Sequence, residues 1–441
     1  MKYTLGIDIG TTGICTVALD PESHRTLYTA HCANDAFIYT ANDWEKIQDP
    51  QKIRSAVKGL IDETLTHMGE LPASIGVTGQ MHGILYLDAE GEPLSPLYTW
   101  QDGRGTQPMP DGRTTVDYVK EVCGVKVFSG YGLVTHIYNQ AHGLNPASAS
   151  CICTVHDWID MCLAGRKTPV MHASDAASLG FFDSERNAFD EKALALLGVS
   201  PSILPCVSAE SEVIGYYADS IPVRIAIGDN QASFLGAVGQ RGDGALLINV
   251  GTGSQVSIVG SRTESRNGIE CRPFVDGKYL LVGSSLCGGR AYALLEKLFR
   301  EIANLCGAEI SSAYPFMDRA MEQAGERGTE LTVSTLFDGT RENPQLRGSI
   351  SGISVENLHA VDLMSGFLQG IADELHSFYI QMRASGVCPE ARVMIGAGNG
   401  LRYNPTLCCA MERVFGLPLE LSTVSEEAAV GAAEFATSAD R

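Results

Sequence analysis

Asp8 and the turn after it combine a carboxylate with groups that can bind phosphate. A short apolar strand contains Asp8, continues through Gly10-Thr11-Thr12-Gly13, and gives way to a second strand pattern at Ile14. Because glycine adopts positive φ without steric cost, we expect Gly10 and Gly13 to form a tight hairpin turn. Such a turn exposes backbone N–H groups and threonine hydroxyls that can hold a phosphate, and the carboxylate can orient a metal ion or its waters. On this stretch alone, an ordinary polar hairpin is an equally good interpretation.

A second stretch, about half a chain later, has the same composition. Residues 246–250 are apolar apart from Asn249, Gly251-Thr252-Gly253-Ser254 follows, and an apolar strand pattern then resumes. Two such hairpins favour a duplicated nucleotide-binding core over two accidental turns.

Asp229 lies where a strand pattern meets a helix pattern. Residues 221–227 are mostly apolar, Gly228-Asp229-Asn230-Gln231 follows, and we expect the helix to begin at Asn230 or Gln231. A carboxylate beyond a strand end faces the usual ligand crevice of an α/β sheet and can accept a hydroxyl proton as general base. A simple helix N-cap is an equally good interpretation of Asp229.

Polar side chains gather beyond two other predicted strand ends. They are Gln80, His82, Trp100, Asp102 and Arg104, and they offer hydrogen-bond donors and acceptors together with one aromatic platform. Such a set is typical of a site for a polyhydroxylated ligand such as a sugar, although His82 taken singly is better explained as a structural histidine. Asp175, in the stretch of small residues at 173–182, is predicted to lie in a loop, where it either approaches a ligand or caps a helix.

The elements that must position these residues follow from spacing. Asp49-Pro50 reads as an N-cap followed by proline at the first helical position, with apolar residues at helical spacing up to Gly69. The strand 74–78 follows, so strand, helix and strand predict a βα unit and a largely parallel core sheet. In the second half, a long amphipathic helix through 361–378 precedes a strand and the turn Gly396-Ala397-Gly398-Asn399-Gly400, where a flat ring or phosphate can approach backbone.

Composition limits the class of protein. The 441 residues carry a net charge of −20, with 44% apolar residues, which predicts two to four domains and disfavours a nucleic-acid partner. Thirteen cysteines without a C-x-x-C pair indicate free, mostly buried thiols in a reducing compartment rather than a disulfide framework. No apolar run approaches ~20 residues and the N-terminus does not resemble a signal peptide, so a cytoplasmic protein without a membrane span is expected.

These motifs together resemble the FGGY carbohydrate kinases over nearly the whole chain. Asp8 with the first Gly-Thr turn resembles the family's first phosphate hairpin, 251–254 the second, 228–231 the catalytic-base motif, and 396–399 the adenosine loop. The resemblance implies an α/β fold of duplicated actin-like ATPase (ribonuclease H-like) domains with an interdomain active-site cleft. The linker-like stretch 239–244 then divides the chain into 1–242, with the sugar site and first hairpin, and 243–441, with the second hairpin and adenosine site.

Within the family, Gln80-Met81-His82-Gly83 resembles the sedoheptulokinase and xylulokinase branch, and 99–104, 154–158, 176–182 and 285–289 resemble sedoheptulokinases. Asn230 departs from the sedoheptulokinases, which carry an apolar residue at this position. The resemblance implies ATP-dependent phosphorylation of the terminal hydroxyl of a ketose, most closely sedoheptulose and alternatively xylulose or another pentulose, with Mg²⁺ oriented by Asp8 and Asp229 as catalytic base. The implied sugar contacts are Gln80, Met81, His82, Trp100, Asp102, Asp229 and Asn230. The implied ATP contacts are Gly10, Thr11, Thr12, Gly251, Thr252, Gly253, Gly288, Gly289, Gly398 and Asn399.

Two other classes stay open. A chaperone-type or actin-like ATPase shares this core but needs no small acceptor, and the sugar-type clusters at 80–83 and 100–104 argue against it. A sugar sensor would bind without turnover, which the intact Asp229 and both hairpins disfavour. The P-loop motif is absent, so a P-loop kinase is excluded. The expected partner is a small sugar, not a nucleic acid or membrane, and a homodimer is possible.

Overall fold

The computed structural model describes residues 2–242, 244–265, 268–325, 329–340, 343 and 345–437. Its chain forms two compact units. Unit 1 consists of Met1–Gly239, Pro273–Gly277 and Val424–Arg441, and unit 2 of Gln240–Arg272 and Lys278–Thr423.

The described residues form 24 strands and 13 α-helices. The strands are β1 (Thr4–Ile9), β2 (Gly13–Asp20), β3 (Arg25–Ala33), β4 (Phe37–Ile38), β5 (Ile47–Gln48), β6 (Ser74–Gly79), β7 (Leu85–Leu87), β8 (Leu97–Tyr98), β9 (Cys151–Cys153), β10 (Val170–His172), β11 (Phe182–Asp183), β12 (Ala188–Phe189), β13 (Cys206–Ser208), β14 (Val213–Tyr217), β15 (Ile221–Arg224), β16 (Ile227–Gly228), β17 (Ala245–Val250), β18 (Ser254–Gly260), β19 (Ile269–Pro273), β20 (Tyr279–Ser285), β21 (Thr332–Ser334), β22 (Ser349–Ser351), β23 (Val393–Ala397) and β24 (Leu419–Leu421). The helices are α1 (Pro50–Met68), α2 (Thr115–Cys123), α3 (Gly132–Ala141), α4 (Val155–Leu163), α5 (Ala173–Ser178), α6 (Glu191–Leu196), α7 (Asp229–Val238), α8 (Gly289–Leu305), α9 (Tyr314–Ala324), α10 (Ala360–Ala384), α11 (Asn399–Arg402), α12 (Pro405–Phe415) and α13 (Glu427–Thr437).

Unit 1 is built on a sheet of order β14-β15-β6-β1-β2-β3, with β16 also paired to β6. Strand β1 pairs antiparallel with β2 across the tight turn and parallel with β6. Helix α1 makes the crossover between them, with the Asp49 side chain accepting from the backbone N–H groups of Gln51 and Lys52 and Gly69 ending it at φ 66°. The predicted βα unit and its cap residues are therefore confirmed.

The parallel strands of unit 1 end at the same level. Gly79 is the last residue of β6, and it is paired with Ile9 on one side and with Gly228 on the other. The next residue in each strand connection is Gly10, Gln80 or Asp229. The sheet therefore delivers the first turn, the Gln80 segment and Asp229 to one edge, where α/β sheets bind ligands.

Helix α13 lies directly against the backbone of β1 and β6. A Cβ added at Gly6 would lie 1.9 Å from the carbonyl oxygen of Ala429, and one at Gly76 would lie 2.1 Å from that of Ala432. These glycines are therefore required by close approach, and the small residues Ala429 and Ala432 of α13 permit this contact.

Unit 2 repeats the arrangement of the first sheet. Its order is β19-β20-β18-β17-β23-β24, in which β17 pairs antiparallel with β18 across the second Gly-Thr turn and parallel with β23. A hairpin strand flanked by one antiparallel and one parallel neighbour thus occurs in both units, as expected for a duplicated core. Helix α10 packs on this sheet and contains the long amphipathic segment that the spacing predicted.

Three expectations differ from the structure. Neither Gly10 nor Gly13 has positive φ; instead a Cβ at Gly10 would lie 2.8 Å from the Gly13 carbonyl oxygen, so closeness within the turn explains the glycine. Asp175 lies inside α5 rather than in a loop, because the His172 side chain caps a helix there. Asp229 is the first residue of α7, whose N-cap is Gly228 with no side-chain hydrogen bond, so Asp229 is not a capping residue.

The domain division at 242/243 stays a prediction, and Asp243 lies outside the described residues. Unit 1 also takes in the later segments around 273–277 and after 424. Among the helices that the structure describes, none has both the length and the apolar character needed to cross a membrane.

Candidate active site

Asp229 is held at the start of α7 by neighbours on both sides. Its Oδ1 accepts a 2.7 Å hydrogen bond from the Asn230 amide, which fixes the plane of the carboxylate. The backbone N–H of Gly228 donates to the Ser174 hydroxyl at 3.1 Å, and that of Ala226 donates to Asp160 Oδ2 at 2.9 Å. The strand end that carries Asp229 is therefore anchored to side chains from α4 and α5.

Asp8 lies within the electrostatic field of this carboxylate. Burial raises the pKa of Asp8 to about 7, with further increases from the charges of Asp229 and Glu426 and an opposing effect from His156. The carboxylates of Asp229 and Glu426 both disfavour ionisation of Asp8, and the three side chains offer a set of hard oxygen donors. Such a set fits a divalent cation of the Mg²⁺ type, since a bound cation would relieve the repulsion.

Thr11 connects the first turn to the predicted sugar-binding cluster. Its hydroxyl accepts from the Trp100 indole N–H at 2.9 Å and contacts Gln80 Oε1 at 3.4 Å. The Gln80 amide in turn donates to Gln48 Oε1 at 2.8 Å, which orients it from behind. The Trp100 side chain is 47% exposed, so its ring remains available as a platform for a ligand.

His82 is locked in an unusual conformation beside this cluster. Its backbone has φ 72°, in the left-handed region that a non-glycine residue adopts only at a cost. Ser178 holds it twice, since the hydroxyl accepts from the His82 backbone N–H at 3.1 Å and the carbonyl bonds the ring Nδ1 at 2.7 Å. The ring also stacks on Tyr131, with centroids 5.0 Å apart. This ordering fixes the imidazole for a defined contact.

Asp102 is buried in an ion pair with Arg104. Its Oδ1 lies 2.6 Å from Arg104 Nε, and its Oδ2 accepts from the Lys46 backbone N–H at 3.0 Å. The guanidinium also lies over the Tyr98 ring, 4.0 Å from its centroid. These bonds give Asp102 a structural role in supporting the Trp100 segment, and its predicted contact with a ligand stays a prediction without support from this geometry.

Met81 and Asn230 complete the surroundings of Asp229. The Asn230 amide lies 3.8 Å from the Met81 sulfur, and a Cβ at Gly228 would meet the Met81 side chain at 2.7 Å. The structure therefore brings Asp229, Asn230 and Met81 into one group in unit 1.

Three glycine turns meet within unit 2. The Gly289 N–H donates to the Gly251 carbonyl oxygen at 2.9 Å, and a Cβ at Gly288 would lie 2.5 Å from the Gly253 carbonyl. A Cβ at Gly398, which has φ 84°, would lie 2.5 Å from the Val250 carbonyl oxygen. The predicted phosphate and adenosine segments are therefore neighbours, with the N-terminus of α8 beside them as a favourable site for an anion.

These turns open onto a cavity of about 770 Å³, a volume that suits a nucleotide-sized ligand. Its lining includes Gly251, Thr252, Gly289, Asn399 and Gly400, and also residues that the sequence reasoning missed: Arg290, Tyr292, Tyr314, Asp318 and Tyr403. Tyrosines provide flat apolar faces against which an aromatic base can pack. The sequence carried no spacing signal for them, because they come from α8, α9 and the residue after α11.

A comparison with known protein families decides the class. A model of the N-terminal domain of the FGGY family of carbohydrate kinases matches residues 3–236, more than half of the chain. The chain belongs to the FGGY family of carbohydrate kinases. The predicted family is thus confirmed, and the chain is a sugar phosphotransferase of the FGGY type.

Individual FGGY relatives span nearly the whole chain. The sedoheptulokinase of Mus musculus is 29% identical, covering 94% of this chain and 93% of its own length. The xylulose kinase of Streptomyces coelicolor is 25% identical, covering 97% of this chain and 86% of its own length. The solved structure of xylulose kinase from Rhodospirillum rubrum matches with a TM-score of 0.84 at 21% identity, covering 100% of this chain and 90% of that one. The likeness confirms the two-domain α/β fold of actin-like ATPase type, and FGGY membership implies use of ATP and typically of a divalent metal.

Proposed function

We propose that this FGGY kinase transfers the γ-phosphoryl group of ATP to the terminal hydroxyl of a ketose, most closely sedoheptulose. The observation that carries the proposal is that Asp229, whose charge acts on Asp8, follows a strand end level with the one that presents Gln80. Gln80 in turn contacts Thr11, which accepts from Trp100. The likeness to the mouse sedoheptulokinase supports the choice of sugar. A xylulose or other pentulose kinase is the alternative, supported by the likeness to the Streptomyces xylulose kinase.

In this proposal the sugar binds to unit 1. The Gln80 and Asn230 amides and the His82 ring hydrogen-bond its hydroxyls, while Trp100 and Met81 pack against its carbon skeleton. The fixed geometry of Gln80 and His82 reduces the ordering cost of binding. Asp102 supports these residues indirectly, through its ion pair with Arg104.

Asp229 is the proposed general base. As the acceptor oxygen forms its bond to the γ-phosphorus, the bond from that phosphorus to the bridging oxygen breaks and ADP leaves. The O–H bond of the sugar also breaks, and its proton passes to the Asp229 carboxylate. The Asn230 amide holds that carboxylate in place through its hydrogen bond to Oδ1. The chemistry requires Asp229 to be ionised when the sugar binds.

ATP is proposed to bind in the unit 2 cavity. The backbone N–H groups of Thr252 and Gly253 meet the phosphates, and the base packs near Asn399 and the tyrosines of the lining. The phosphate contacts of Gly10, Thr11 and Thr12 remain a prediction. Mg²⁺, held near Asp8, would supply charge neutralisation of the phosphate oxygens. The cytoplasmic location and the homodimer remain predictions.

The direct test is Asp229→Asn, assayed for ADP release with a panel of sedoheptulose, xylulose, ribulose and glycerol. We expect turnover to fall by about 10² to 10⁴, with sugar binding retained in a thermal-shift assay. Asp62→Asn, an exposed carboxylate on α1, is the matched control and should behave as wild type. Near wild-type turnover in Asp229→Asn would remove it from the mechanism.

The panel itself separates the candidate functions. Sedoheptulose is expected to give the highest kcat/KM, and a higher value for xylulose or ribulose would move the assignment to the pentulose alternative. Sugar binding without ADP release would indicate a sensor, and ADP release independent of sugar would indicate an actin-like ATPase.

A further inference from the structure

Three buried side chains of unit 1 bring metal-binding atoms close together. His156 and Asp157 lie on α4, Asp175 lies on α5, and none of the three is more than 1% exposed. One donor atom from each side chain lies within 4.8 Å of the other two. Since the last torsion of an aspartate is soft, the two carboxylates can turn from this spacing onto a single ion. Imidazole nitrogen and carboxylate oxygen are both established ligands of Zn²⁺.

Four atoms of this group are buried without a hydrogen-bond partner among the residues that the structure describes. They are His156 Nε2, Asp157 Oδ1 and both carboxylate oxygens of Asp175. A buried polar atom that is left unpaired costs free energy, and a charged one costs more. Because buried polar atoms in native proteins almost always have a partner, these four indicate a ligand that the protein chain itself does not supply.

The contact between His156 and Asp175 has the geometry of two metal ligands. Nε2 lies 3.0 Å from Asp175 Oδ1, yet neither atom has a partner in hydrogen-bond geometry. Two ligands of one tetrahedral Zn²⁺, each about 2.0–2.2 Å from the ion, lie about 3.4 Å from each other. The two atoms therefore lie side by side, as ligands of a common ion do, and are not aligned as donor and acceptor.

Thr154 orients the first two members of the group. Its hydroxyl donates to Asp157 Oδ2 at 2.6 Å, so in its 3.2 Å contact with His156 Nδ1 it accepts the proton of the ring. With a proton on Nδ1, a neutral imidazole presents the lone pair of Nε2, which is the form that binds metals. The bond to Oδ2 leaves Asp157 Oδ1 as the unpartnered oxygen.

The charge of the group matches that of a divalent cation. Two ionised carboxylates and a neutral imidazole are balanced by one such ion, whereas a single proton balances only one carboxylate. Asp160, also on α4, is fully buried and adds a third acidic side chain nearby, with its Oδ2 accepting from the Ala226 backbone N–H. Buried charges are normally paired or bound to a metal, because an isolated one is very costly.

We propose that His156, Asp157 and Asp175 form a structural site for one divalent transition-metal ion of the Zn²⁺ type, separate from the Mg²⁺ proposed near Asp8. The four unpartnered atoms equal the number of ligands that structural zinc sites use. In this site the ion joins α4 to α5.

Helix α5 is the element whose position the ion fixes. Ser174 and Ser178 lie on either side of Asp175 in this helix. Their hydroxyls accept hydrogen bonds from the backbone N–H groups of Gly228 and His82, respectively. The metal site therefore supports two segments of the proposed sugar-binding region without contacting the sugar.

The first test is the metal content of the purified protein after dialysis against EDTA. Because the ligands are buried, we expect about one equivalent of zinc per chain to be retained by wild type, and most of it to be lost in His156→Asn and Asp175→Asn. His136→Asn is the matched control, since His136 is buried in the same unit but does not belong to the group. Asp229→Asn should also keep the ion, so the result does not depend on the base assignment.

The proposal is overturned if wild type holds less than about a tenth of an equivalent of any divalent metal, even after refolding with excess Zn²⁺ or Mn²⁺. It is also overturned if His156→Asn and Asp175→Asn retain as much metal as His136→Asn.

Two measurements on the wild-type protein cover the case in which these variants do not fold. X-ray absorption at the zinc edge should show nitrogen and oxygen ligands at about 2.0–2.2 Å, with the outer-shell scattering of one imidazole. Sulfur ligands would place the ion on cysteines, and oxygen ligands alone would place it on other carboxylates; either result would overturn the proposal. Protein refolded without metal should melt about 5 °C below the zinc-loaded protein, and equal melting temperatures would contradict a structural role.

Discussion

The buried position of Asp8 lowers the free energy of unfolding when this carboxyl is ionised. Burial and the charges of Asp229 and Glu426 raise its pKa to about 7, whereas an aspartate in the unfolded chain titrates near about 3.9. The folded protein therefore holds this proton more tightly than the unfolded one. Its stability falls as pH rises from about 4 to about 7, and the full cost is present above that range.

We therefore expect Asp8→Asn to make the protein more stable at pH 8 and less active. The melting temperature without ligand should rise by about 3 °C or more. Most of the gain should be lost near pH 4, where Asp8 is protonated in the folded state and about half protonated in the unfolded state. Melting curves at pH 4, 6 and 8 check this, with Asp62→Asn, an exposed aspartate on α1, as the control. Equal melting temperatures of Asp8→Asn and wild type at pH 8 would contradict the account.

Residue types and spacing predicted the groups that follow strand ends, since that position depends only on local pattern. Gln80, Asp229 and the two Gly-Thr turns were found in this way. The pairing of Asp102 with Arg104 and of Asp175 with His156 could not be predicted, because each depends on burial that only the folded chain defines. Asp175 in particular was placed in a loop, since six small residues gave no periodicity from which to infer α5.

Among the elements, the strand-to-helix turns of unit 2 are the most sharply constrained. Gly398 combines φ 84° with a hypothetical Cβ only 2.5 Å from backbone and from Asn249 Oδ1. It is also the N-cap of α11, and the first residues of that helix line the 770 Å³ cavity. In the sequence, Gly398 belongs to a glycine-rich stretch that follows a strand pattern. This pattern predicted the turn, but it predicted neither the tyrosines that line the cavity nor the volume of the cavity.

Gly398→Ala should raise the KM for ATP by about tenfold or more, since a strained turn displaces the cavity wall, while sugar binding in unit 1 should not change. Gly416→Ala is a closely matched control. It also has positive φ, at 65°, but no heavy atom lies within 4 Å of its added Cβ, so it shares the backbone cost without the crowding. The reaction rate as a function of ATP concentration gives the KM, and isothermal titration with sugar measures binding to unit 1. An ATP KM no more affected in Gly398→Ala than in Gly416→Ala would show that crowding at this turn is unimportant.

The helices that could be predicted were those with caps and a clear apolar stripe. Helix α1 had Asp49, Pro50 and Gly69 at its ends, and α10 had a long run of apolar residues at helical spacing. The packing partner of α13 could not be predicted, because alanine and glycine identify a close contact without identifying the surface on the other side. That surface is the backbone of β1 and β6, more than 350 residues earlier in the chain.

At the level of the whole chain, unit 1 is discontinuous. Its sheet is formed before residue 240, its Pro273–Gly277 segment comes from the middle, and its last helix comes from the C-terminal end. The middle segment is bonded in place, since the Gln231 amide donates to the Pro273 carbonyl oxygen at 2.9 Å and Phe274 packs edge-on against Phe234. Unit 1 is therefore formed by three segments of the chain, which come before, within and after unit 2 in the sequence.

A chain ending at Thr423 is expected to lose unit 1 while keeping unit 2. Removal of α13 uncovers the apolar face and the backbone at Gly6 and Gly76, so sugar-dependent stabilisation should disappear and most of the protein should aggregate. A chain ending at Thr437 is the control. Adding a peptide of residues 424–437 should partly restore sugar binding, and a soluble, sugar-binding chain without that peptide would contradict the expectation.

Because unit 1 is discontinuous in the sequence, its segments are synthesised at different times. The ribosome releases the first 239 residues, including β1, β6 and α7, well before it makes α13. At roughly 5–20 residues per second, the intervening stretch of about 180 residues takes on the order of 10–40 s to translate. During that time the nascent sheet has its glycine-lined face uncovered, which makes it a substrate for chaperones. Synonymous codons that slow translation between 240 and 423 should therefore lower the yield of active kinase without altering a single amino acid.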